Sequence, residues 1–208
     1  MGADEAGTRR DDWANAAFDI LLTQGVEQVK VLTLAQRLGC SRSSFYWFFD
    51  DRQALLDCLL EIWAAKNTLA ITQRAARPAV SITQAVLHVF ECWTDARIFD
   101  ARLDFAVREW ARRTPAVRDA VQGADAARVR ALTAMFARHG FAGTEALIRA
   151  RTLYYTQIGY YALDVGDSDA QRAQYLAAYV KVFTGMEPAP AEAADFLRRT
   201  MVGQVSGG

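Results

Sequence analysis

The stretch that decides the fold runs from Leu34 to Leu56 and reads LAQRLGCSRSSFYWFFDDRQALL. Its first residues place apolar side chains on one side of a short helix, and Gly39 follows where a tight turn needs a residue that tolerates positive φ. Ser41 can cap a second helix, because its hydroxyl can accept hydrogen bonds from the amides of the first turn. That helix carries serine, arginine and flat aromatic side chains, and a rod of this size fits the DNA major groove. The stretch therefore indicates a helix-turn-helix element that reads DNA.

Composition indicates a folded intracellular protein. The 208 residues are 52% hydrophobic and include only four prolines, so the chain is long enough for one domain or two small ones. The three cysteines, Cys40, Cys58 and Cys92, lack CxxC spacing, which favours reduced thiols over disulfides or a metal site. The N-terminus is polar and no stretch approaches eighteen uncharged apolar residues. We expect no signal peptide, no membrane partner, no cofactor and a cytoplasmic location.

The charge balance is unfavourable for nucleic-acid binding. The formal net charge is zero, and the first sixty residues hold six Lys or Arg against nine Asp or Glu. The diffuse electrostatic contribution to DNA affinity is therefore modest. We expect affinity to come from a few positioned contacts and from two copies of the chain acting together.

Periodicity predicts an all-α chain, in which an N-terminal helix packs under the helix-turn-helix and further helices follow to the C-terminus. The short apolar run at residues 29–32 leads directly into a helical pattern, so we interpret it as the start of a helix. Residues 203–208 are predicted to be disordered. The predicted helix starts are Asp50 with Gln53, Ser81 with Gln84, Thr114-Pro115, Thr144, Ser168 with Gln171, and Pro190.

The N-terminal pattern resembles the tetracycline-repressor (TetR) family of bacterial transcription regulators over residues 9–57. The turn at residues 38–41, the aromatic run 45–49, an acidic or polar cap, a basic residue and Ala54-Leu55-Leu56 carry the resemblance. Residues 104–117 also resemble a segment common in one branch of that family. The resemblance implies an N-terminal three-helix helix-turn-helix domain over residues 9–57, with a recognition helix over residues 41–47, and a C-terminal helical domain over 58–203 that binds a small-molecule effector. It also implies a homodimer and a palindromic double-stranded DNA operator.

The resemblance also implies roles for particular residues. Arg42, Ser43 and Ser44 face bases or phosphates, Tyr46 and Trp47 lie at the DNA backbone, and Arg52 grips a phosphate. Three features depart from the family pattern. Phe48 replaces a common histidine, and Lys30 replaces a Thr or Ser cap and supplies a charge instead. Asp50 and Asp51 lie close to the expected path of the phosphates, where their carboxylates serve as helix caps but weaken the positive field. The predicted DNA-binding set is Lys30, Thr33, Ser41, Arg42, Ser43, Ser44, Tyr46, Trp47 and Arg52.

Aromatic residues need not lie at a binding surface. Phe45, Phe48 and Phe49 share the face that closes the three-helix core, which favours packing over base stacking. The C-terminal half holds enough aromatic surface to line a cavity between helices, with a few polar side chains to orient a ligand, although core packing explains the same pattern. The predicted ligand-binding set is Trp63, His88, Trp93, Asp104, Phe105, Glu109, Trp110, Tyr154 and Gln157.

Two helical segments, residues 150–163 and 168–183, carry small residues and tyrosines typical of an interface, and they predict a four-helix homodimer contact.

An enzyme is disfavoured because the chain has no Gly-rich phosphate loop, GxSxG or HExxH motif and only two histidines. The sequence predicts a DNA-binding transcriptional regulator, a repressor released by a small apolar ligand. The alternative is a helical ligand-binding or interaction protein on the same fold with lost or weak DNA binding.

Overall fold

A computed structural model describes residues 8–202, with side chains to residue 200, and every regular element in this range is helical. The predicted disorder of residues 203–208 lies outside the described residues. Within residues 8–202 no helix is both long and apolar enough to cross a membrane. The helices are α1 Arg10–Gln24, α2 Val31–Leu38, α3 Arg42–Phe45, α4 Arg52–Trp63, α5 Leu69–Ala76, α6 Ile82–Thr94, α7 Ala101–Ala111, α8 Pro115–Arg138, α9 Gly143–Ala162, α10 Asp169–Thr184 and α11 Pro190–Val202, with a 3₁₀ turn at Val26–Gln28 and a π-helical turn at Ala64–Thr68.

Local side-chain chemistry sets most of the helix starts. Ser81 Oγ accepts from the Gln84 amide at 2.9 Å, and Ser168 with Gln171 forms a reciprocal capping box. Pro115 and Pro190 each occupy the first helical position, where the missing N–H leaves no bond unmade. These predicted starts are confirmed, as is the helical fate of the run at residues 29–32, since α2 begins at Val31.

Two predicted caps are wrong, the first by one residue and the second by two. Asp51, not Asp50, caps α4, because its carboxylate accepts from the Ala54 amide at 2.8 Å. The Gln53 side chain turns forward to Asp57 at 2.8 Å and does not close a capping box. Helix α9 begins at Gly143 with no side-chain cap, so Thr144 lies inside its first turn.

The chain divides into two compact units. Unit 1 comprises residues 8–65 and 102–121, and unit 2 comprises residues 66–101 and 122–202. The predicted boundary between residues 57 and 58 falls inside α4, where no break in the helix occurs. The domain bounds 9–57 and 58–203 stay a prediction, whereas the units describe where contacts are dense.

The core of unit 1 is built from aromatic rings of α1 and of the segment that follows α2. Phe45 is fully buried and meets Trp13 edge-on, with ring centroids 5.2 Å apart, while Phe49 stacks on it at 5.5 Å. Leu34 on α2 and Ile20 on α1 are also fully buried. Phe45 and Phe49 are therefore core residues, as the sequence predicts, and Phe48 is half-buried.

The core of unit 2 closes around α6, which is buried along most of its length. Phe90 contacts Phe183 of α10 and Phe196 of α11, at centroid distances of 6.2 and 6.4 Å. Apolar area removed from water stabilises this arrangement by roughly 25 cal/mol per Å².

Glu91 at the edge of α6 is shared by three arginines. Arg74 and Arg77 approach its carboxylate at 3.4 and 3.3 Å, and Arg199 of α11 contacts it as well. One carboxylate therefore ties α5 and α11 to α6. The cysteines Cys40, Cys58 and Cys92 are all free, and no cluster of metal-ligating side chains occurs among the described residues.

Candidate nucleic-acid interface

The turn between α2 and α3 has the geometry that Gly39 makes possible. Gly39 has φ 66° and ψ 26°, a left-handed conformation that other residues adopt at a steric cost. Its amide donates to Gln36 O at 3.3 Å, and the Cys40 amide donates to Ala35 O at 3.1 Å. This pair of bonds closes α2 in a Schellman motif and redirects the chain into α3.

The serines of α3 are engaged in building the helix. Ser41 Oγ accepts from the Ser44 amide at 3.3 Å, which confirms Ser41 as the cap. Ser44 Oγ donates to Ser41 O at 2.6 Å, and the hydroxyls of Ser41 and Ser43 lie 2.7 Å apart. Ser43 is the more exposed of the inner two serines, whereas Ser44 is half-buried. The hydroxyls are thus positioned by one another, and Ser43 is better placed than Ser44 to meet a partner.

Flat aromatic side chains project from the end of α3. Trp47 is 85% exposed and Tyr46 is 54% exposed, although large rings are usually at least partly covered in a folded protein. Both follow the buried Phe45, which anchors the segment in the core of unit 1. An indole held this far into solvent beside a capped helix is available for a partner.

The basic side chains near α3 differ in whether they already have a partner within the protein. Within residues 8–202, neither Lys30 nor Arg42 has an ion-pair partner, and both are exposed. Arg37 instead pairs with Asp19 at 2.7 Å. Thr33, in the first turn of α2, is half-buried. The accessible positive charge beside α3 is therefore small and concentrated in Lys30 and Arg42.

Arg52 has a different environment from the one implied by the resemblance. Its Nε donates to Val29 O at 2.6 Å and its Nη2 donates to Val26 O at 2.7 Å, and the residue is half-buried. Two of its donors hold the segment before α2 against the start of α4. The guanidinium is thus engaged within the protein, which argues against a primary role as the phosphate grip.

Predicted ligand residues of unit 1 form two separate groups. Trp63 Nε1 donates to Asp104 Oδ1 at 2.9 Å, and Arg108 Nε donates to Asp104 Oδ2 at 2.8 Å, so the buried carboxylate is held by two donors. Phe105, Glu109 and Trp110 instead line a groove of about 620 Å³ along α7 and the C-terminal end of α1.

Predicted ligand residues of unit 2 are likewise dispersed. Trp93 and Gln157 line a cleft of about 100 Å³ together with several tyrosines of α9 and α10. Tyr154 is buried elsewhere, donating to Asp125 at 2.6 Å and accepting from Arg128 Nη1 at 2.9 Å. The nine predicted residues therefore do not form one site within either unit, because each helix face packs against a different neighbour.

His88 is buried on α6, and its Nδ1 has no hydrogen-bond partner among the described residues. Burial lowers the pKa of His88, and the neighbouring Arg77 guanidinium lowers it further, although Glu91 opposes this. A neutral imidazole in the core of unit 2 is consistent with a packing role.

Sequence reasoning missed the buried Arg128. It is fully buried in unit 2, its guanidinium lies 5.6 Å from the centre of the Phe99 ring, and it contacts Thr68 Oγ1 at 3.2 Å. A signal was available, since Arg128 lies four residues from both Ala124 and Leu132, on the apolar stripe of α8. A charged residue on a buried stripe indicates an internal polar network.

The fold and this site define a class: an all-helical protein with an N-terminal helix-turn-helix and a helical C-terminal region. The model of the tetR family of bacterial regulatory proteins matches residues 15–59. The tetracycline repressor protein class A from transposon 1721 of Escherichia coli is 40% identical over 60 residues, which are 29% of this chain and 28% of that repressor. The class C tetracycline repressor of Escherichia coli is 33% identical over 66 residues, which are 32% of this chain and 30% of the repressor.

The likeness extends beyond the N-terminal segment in structure. The TetR family transcriptional regulator PfmR from Thermus thermophilus superposes with a TM-score of 0.64 at 17% identity, covering 88% of this chain and all of that chain (100%). The curated repressors are matched over less than a third of their length. The tetR family match therefore covers the N-terminal helix-turn-helix of the chain, and the likeness of the C-terminal region to PfmR is a likeness of helical fold.

Proposed function

We propose that the protein is a DNA-binding transcriptional regulator, without enzymatic activity, that inserts α3 into the major groove of double-stranded DNA. The observation that carries this proposal is the exposure of Arg42, Ser43, Tyr46 and Trp47 on a capped segment whose Phe45 is fully buried. The buried Phe45 fixes this segment to the core of unit 1, and the exposed side chains around it are accessible to DNA. The family match over residues 15–59 supports the same function.

The geometry refines the proposed DNA contacts. Arg42 is the residue best able to reach a base edge or a phosphate, because it is exposed and unpaired within residues 8–202. Lys30 at the start of α2 supplies a second charge, while Tyr46 and Trp47 lie against the sugar-phosphate backbone. Ser41 and Ser44 act mainly by holding the segment in shape. Arg52 stabilises the fold through its hydrogen bonds to Val29 O and Val26 O and is not among the proposed direct DNA contacts.

A low positive charge makes dimerisation important for affinity. We propose a homodimer through α9 and α10, where Tyr155 of α9, Leu163 directly after α9 and Val182 of α10 are exposed to 55, 78 and 71%. Two copies related by a two-fold axis require a palindromic operator, with half-sites about 34–36 Å apart or at a multiple of that spacing. Ala150, by contrast, is fully buried in its own protomer and does not contribute to such a contact.

We propose further that the protein acts as a repressor in the cytoplasm and is released by a small apolar effector. A ligand that binds better to a state with misaligned recognition helices lowers DNA affinity by shifting the population toward that state. The cleft of unit 2 around Trp93 and Gln157 measures about 100 Å³, below the usual 300–1,000 Å³ of small-molecule sites. This cleft therefore has to widen before it holds a typical effector.

DNA binding is tested with the segment upstream of the protein's own coding region, by fluorescence anisotropy at two salt concentrations. Arg42→Ala is expected to weaken binding by about 1–3 kcal/mol, or about 5- to 150-fold. The matched control is Arg130→Ala, since Arg130 is also exposed but lies in the middle of α8. Equal affinities for both variants and the parent contradict a contact by Arg42. Binding of no DNA fragment by a folded dimer favours the alternative of an interaction protein.

Dimerisation is tested separately by sedimentation equilibrium. Val182→Glu on α10 places a charge in the proposed interface and is expected to shift the protein toward monomer. Val80→Glu is the matched control, because Val80 is 91% exposed in the loop before α6. A monomeric parent protein, or dimers of equal strength in all three proteins, contradicts the proposed interface.

A further inference from the structure

We propose that the groove of unit 1 formed by α7 and the C-terminal end of α1 binds an elongated organic acid, a molecule with an apolar body and a terminal carboxylate. The regulatory consequence of this inference rests on the proposed function, because the acid bound in the groove is then the effector that controls DNA binding. The binding of the acid is argued from the groove alone.

The groove has the size and floor of a small-molecule site. Its volume of about 620 Å³ lies within the usual range of 300–1,000 Å³. Its apolar lining comes from Leu21 and Leu22 of α1 and from Phe105, Ala106 and Trp110 of α7. Burying an apolar chain against this floor contributes about 25 cal/mol per Å² removed from water.

The rim of the groove carries an excess of positive charge. Arg108 is held by Asp104 at 2.8 Å, and Arg112 pairs with Glu109 at 3.1 Å. The other two arginines of the groove, Arg102 and Arg113, are both exposed, and neither has an ion-pair partner within residues 8–202. Two guanidiniums are therefore available to an anion, and a guanidinium binds a carboxylate in bidentate geometry.

The spacing of these guanidiniums favours an elongated ligand. Arg102 lies in the first turn of α7 and Arg113 lies just after its last residue, so they stand near opposite ends of a helix of eleven residues, which is about 16 Å long, and both line the same groove. An acid group bound by one of them leaves the apolar body over Phe105 and Ala106. Glu27 and Glu109 in the same groove disfavour further negative charges along the ligand, so a single carboxylate fits better than a polyphosphate.

The groove also reaches the helix that supports the DNA-binding segment. Leu21 and Leu22 lie near the end of α1, and Trp13 near its start packs on Phe45 of α3 at 5.2 Å. A ligand that displaces the end of α1 therefore acts on the base on which α3 rests. This connection supplies a route from the bound acid to DNA affinity.

The binding test uses a series of straight-chain carboxylates from C8 to C14, each below its micelle concentration, measured by isothermal titration calorimetry. Decanol and decyltrimethylammonium are the neutral and cationic probes of similar chain length. The expected result is saturable binding of a carboxylate that is about ten-fold or more tighter than binding of either other probe. Absence of carboxylate binding, or equal binding of the ammonium, overturns the inference.

Variants locate the bound acid. Arg102→Gln combined with Arg113→Gln is expected to weaken carboxylate binding about ten-fold or more and to leave decanol unchanged. The matched control combines Arg130→Gln with Arg151→Gln, which removes two exposed guanidiniums elsewhere. Trp110→Phe is expected to remove the fluorescence change caused by the ligand. Carboxylate affinity equal to that of the parent in the Arg102 and Arg113 variant overturns the inference.

The DNA readout separates this inference from the proposed function. The Arg102 and Arg113 variant is expected to bind DNA as the parent does, and only the parent is expected to lose DNA affinity on adding the carboxylate. If the protein binds DNA but its carboxylate binding does not depend on Arg102 and Arg113, the groove inference is wrong and the proposed function stands. If carboxylate binding depends on these arginines but the protein binds no DNA, the groove inference stands and the proposed function is wrong.

Discussion

Arg52 is the residue for which a DNA contact and a structural role predict opposite results. Its guanidinium donates from Nε to Val29 O at 2.6 Å and from Nη2 to Val26 O at 2.7 Å. Both carbonyls belong to the segment that precedes α2. Replacing Arg52 by methionine keeps most of the aliphatic stem but removes both donors, so the two carbonyls lose their partners.

The expected loss of stability follows from these two bonds. A hydrogen bond from a charged donor contributes about 1.5–3 kcal/mol, and water recovers part of this where the residue is half-buried. Arg52→Met is therefore expected to lower the free energy of unfolding by about 3 kcal/mol. For a chain of this length that corresponds to roughly 6–12 °C in Tm. Arg52→Lys keeps the charge but not the fork, and is expected to lose about half as much.

Urea and thermal unfolding followed by circular dichroism measure this loss, with Arg42→Met as the matched control. The exposed Arg42 is expected to leave stability unchanged and to lower DNA affinity. Arg52→Met is expected to do the reverse once binding is measured at a temperature where the variant is folded. Unchanged stability of Arg52→Met, together with a shallower salt dependence of DNA binding, refutes the structural role.

Three further predictions concern the core, a cap and a buried imidazole. Phe45→Ala is expected to cost about 3–5 kcal/mol in urea unfolding, because the ring is fully buried, and a loss below 1 kcal/mol contradicts its packing role. Ser81→Ala is expected to cost about 1 kcal/mol or more, since it removes a cap and a hydrogen bond to Glu192 at 2.6 Å; Ser168→Ala, a cap without such a bond, is the comparison. His88→Leu is expected to flatten the fall in stability between pH 7 and pH 5. Burial, chiefly, holds the pKa of His88 below its ordinary value of about 6.5, so the unfolded chain takes up the proton first and stability declines as pH falls. Equal urea midpoints at the two pH values in the parent contradict this.

The helices were predictable where the signal is local. Ser41 and Ser168 accept from amides three residues later, and Pro115 and Pro190 start a helix because their φ is fixed and they lack an N–H, so the neighbouring sequence suffices. The predicted cap of α4 at Asp50 was wrong by one residue, because a carboxylate at residue 50 or at residue 51 can reach an amide of the same turn. The structure selects Asp51 by the extended backbone at that residue.

The candidate sites were less predictable because they depend on long-range packing. Arg52 is bound by carbonyls more than twenty residues earlier, which no local pattern reveals. Helical periodicity placed Trp63, Trp93 and Tyr154 on buried or aromatic helix faces. It could not predict which neighbouring helix each side chain packs against. The exposure of Trp47 could not be predicted from the sequence either. Its neighbours are aromatic too, and only the structure shows that Phe45 is the buried ring and Trp47 an exposed one.

The carboxylate of Glu91 gives the edge of α6 an unequal tolerance to substitution. Three arginines share this one acceptor, so any one of them can be lost while two remain to neutralise it. Loss of Glu91 itself leaves Arg74 and Arg77 without this acceptor and leaves Arg199 with Asp195 alone, so like charges then face one another at this edge. A saturation mutational scan is therefore expected to show one intolerant acid surrounded by three permissive bases. One arginine at a time can therefore be exchanged at this edge, whereas exchange of Glu91 requires simultaneous replacement of the arginines that it neutralises.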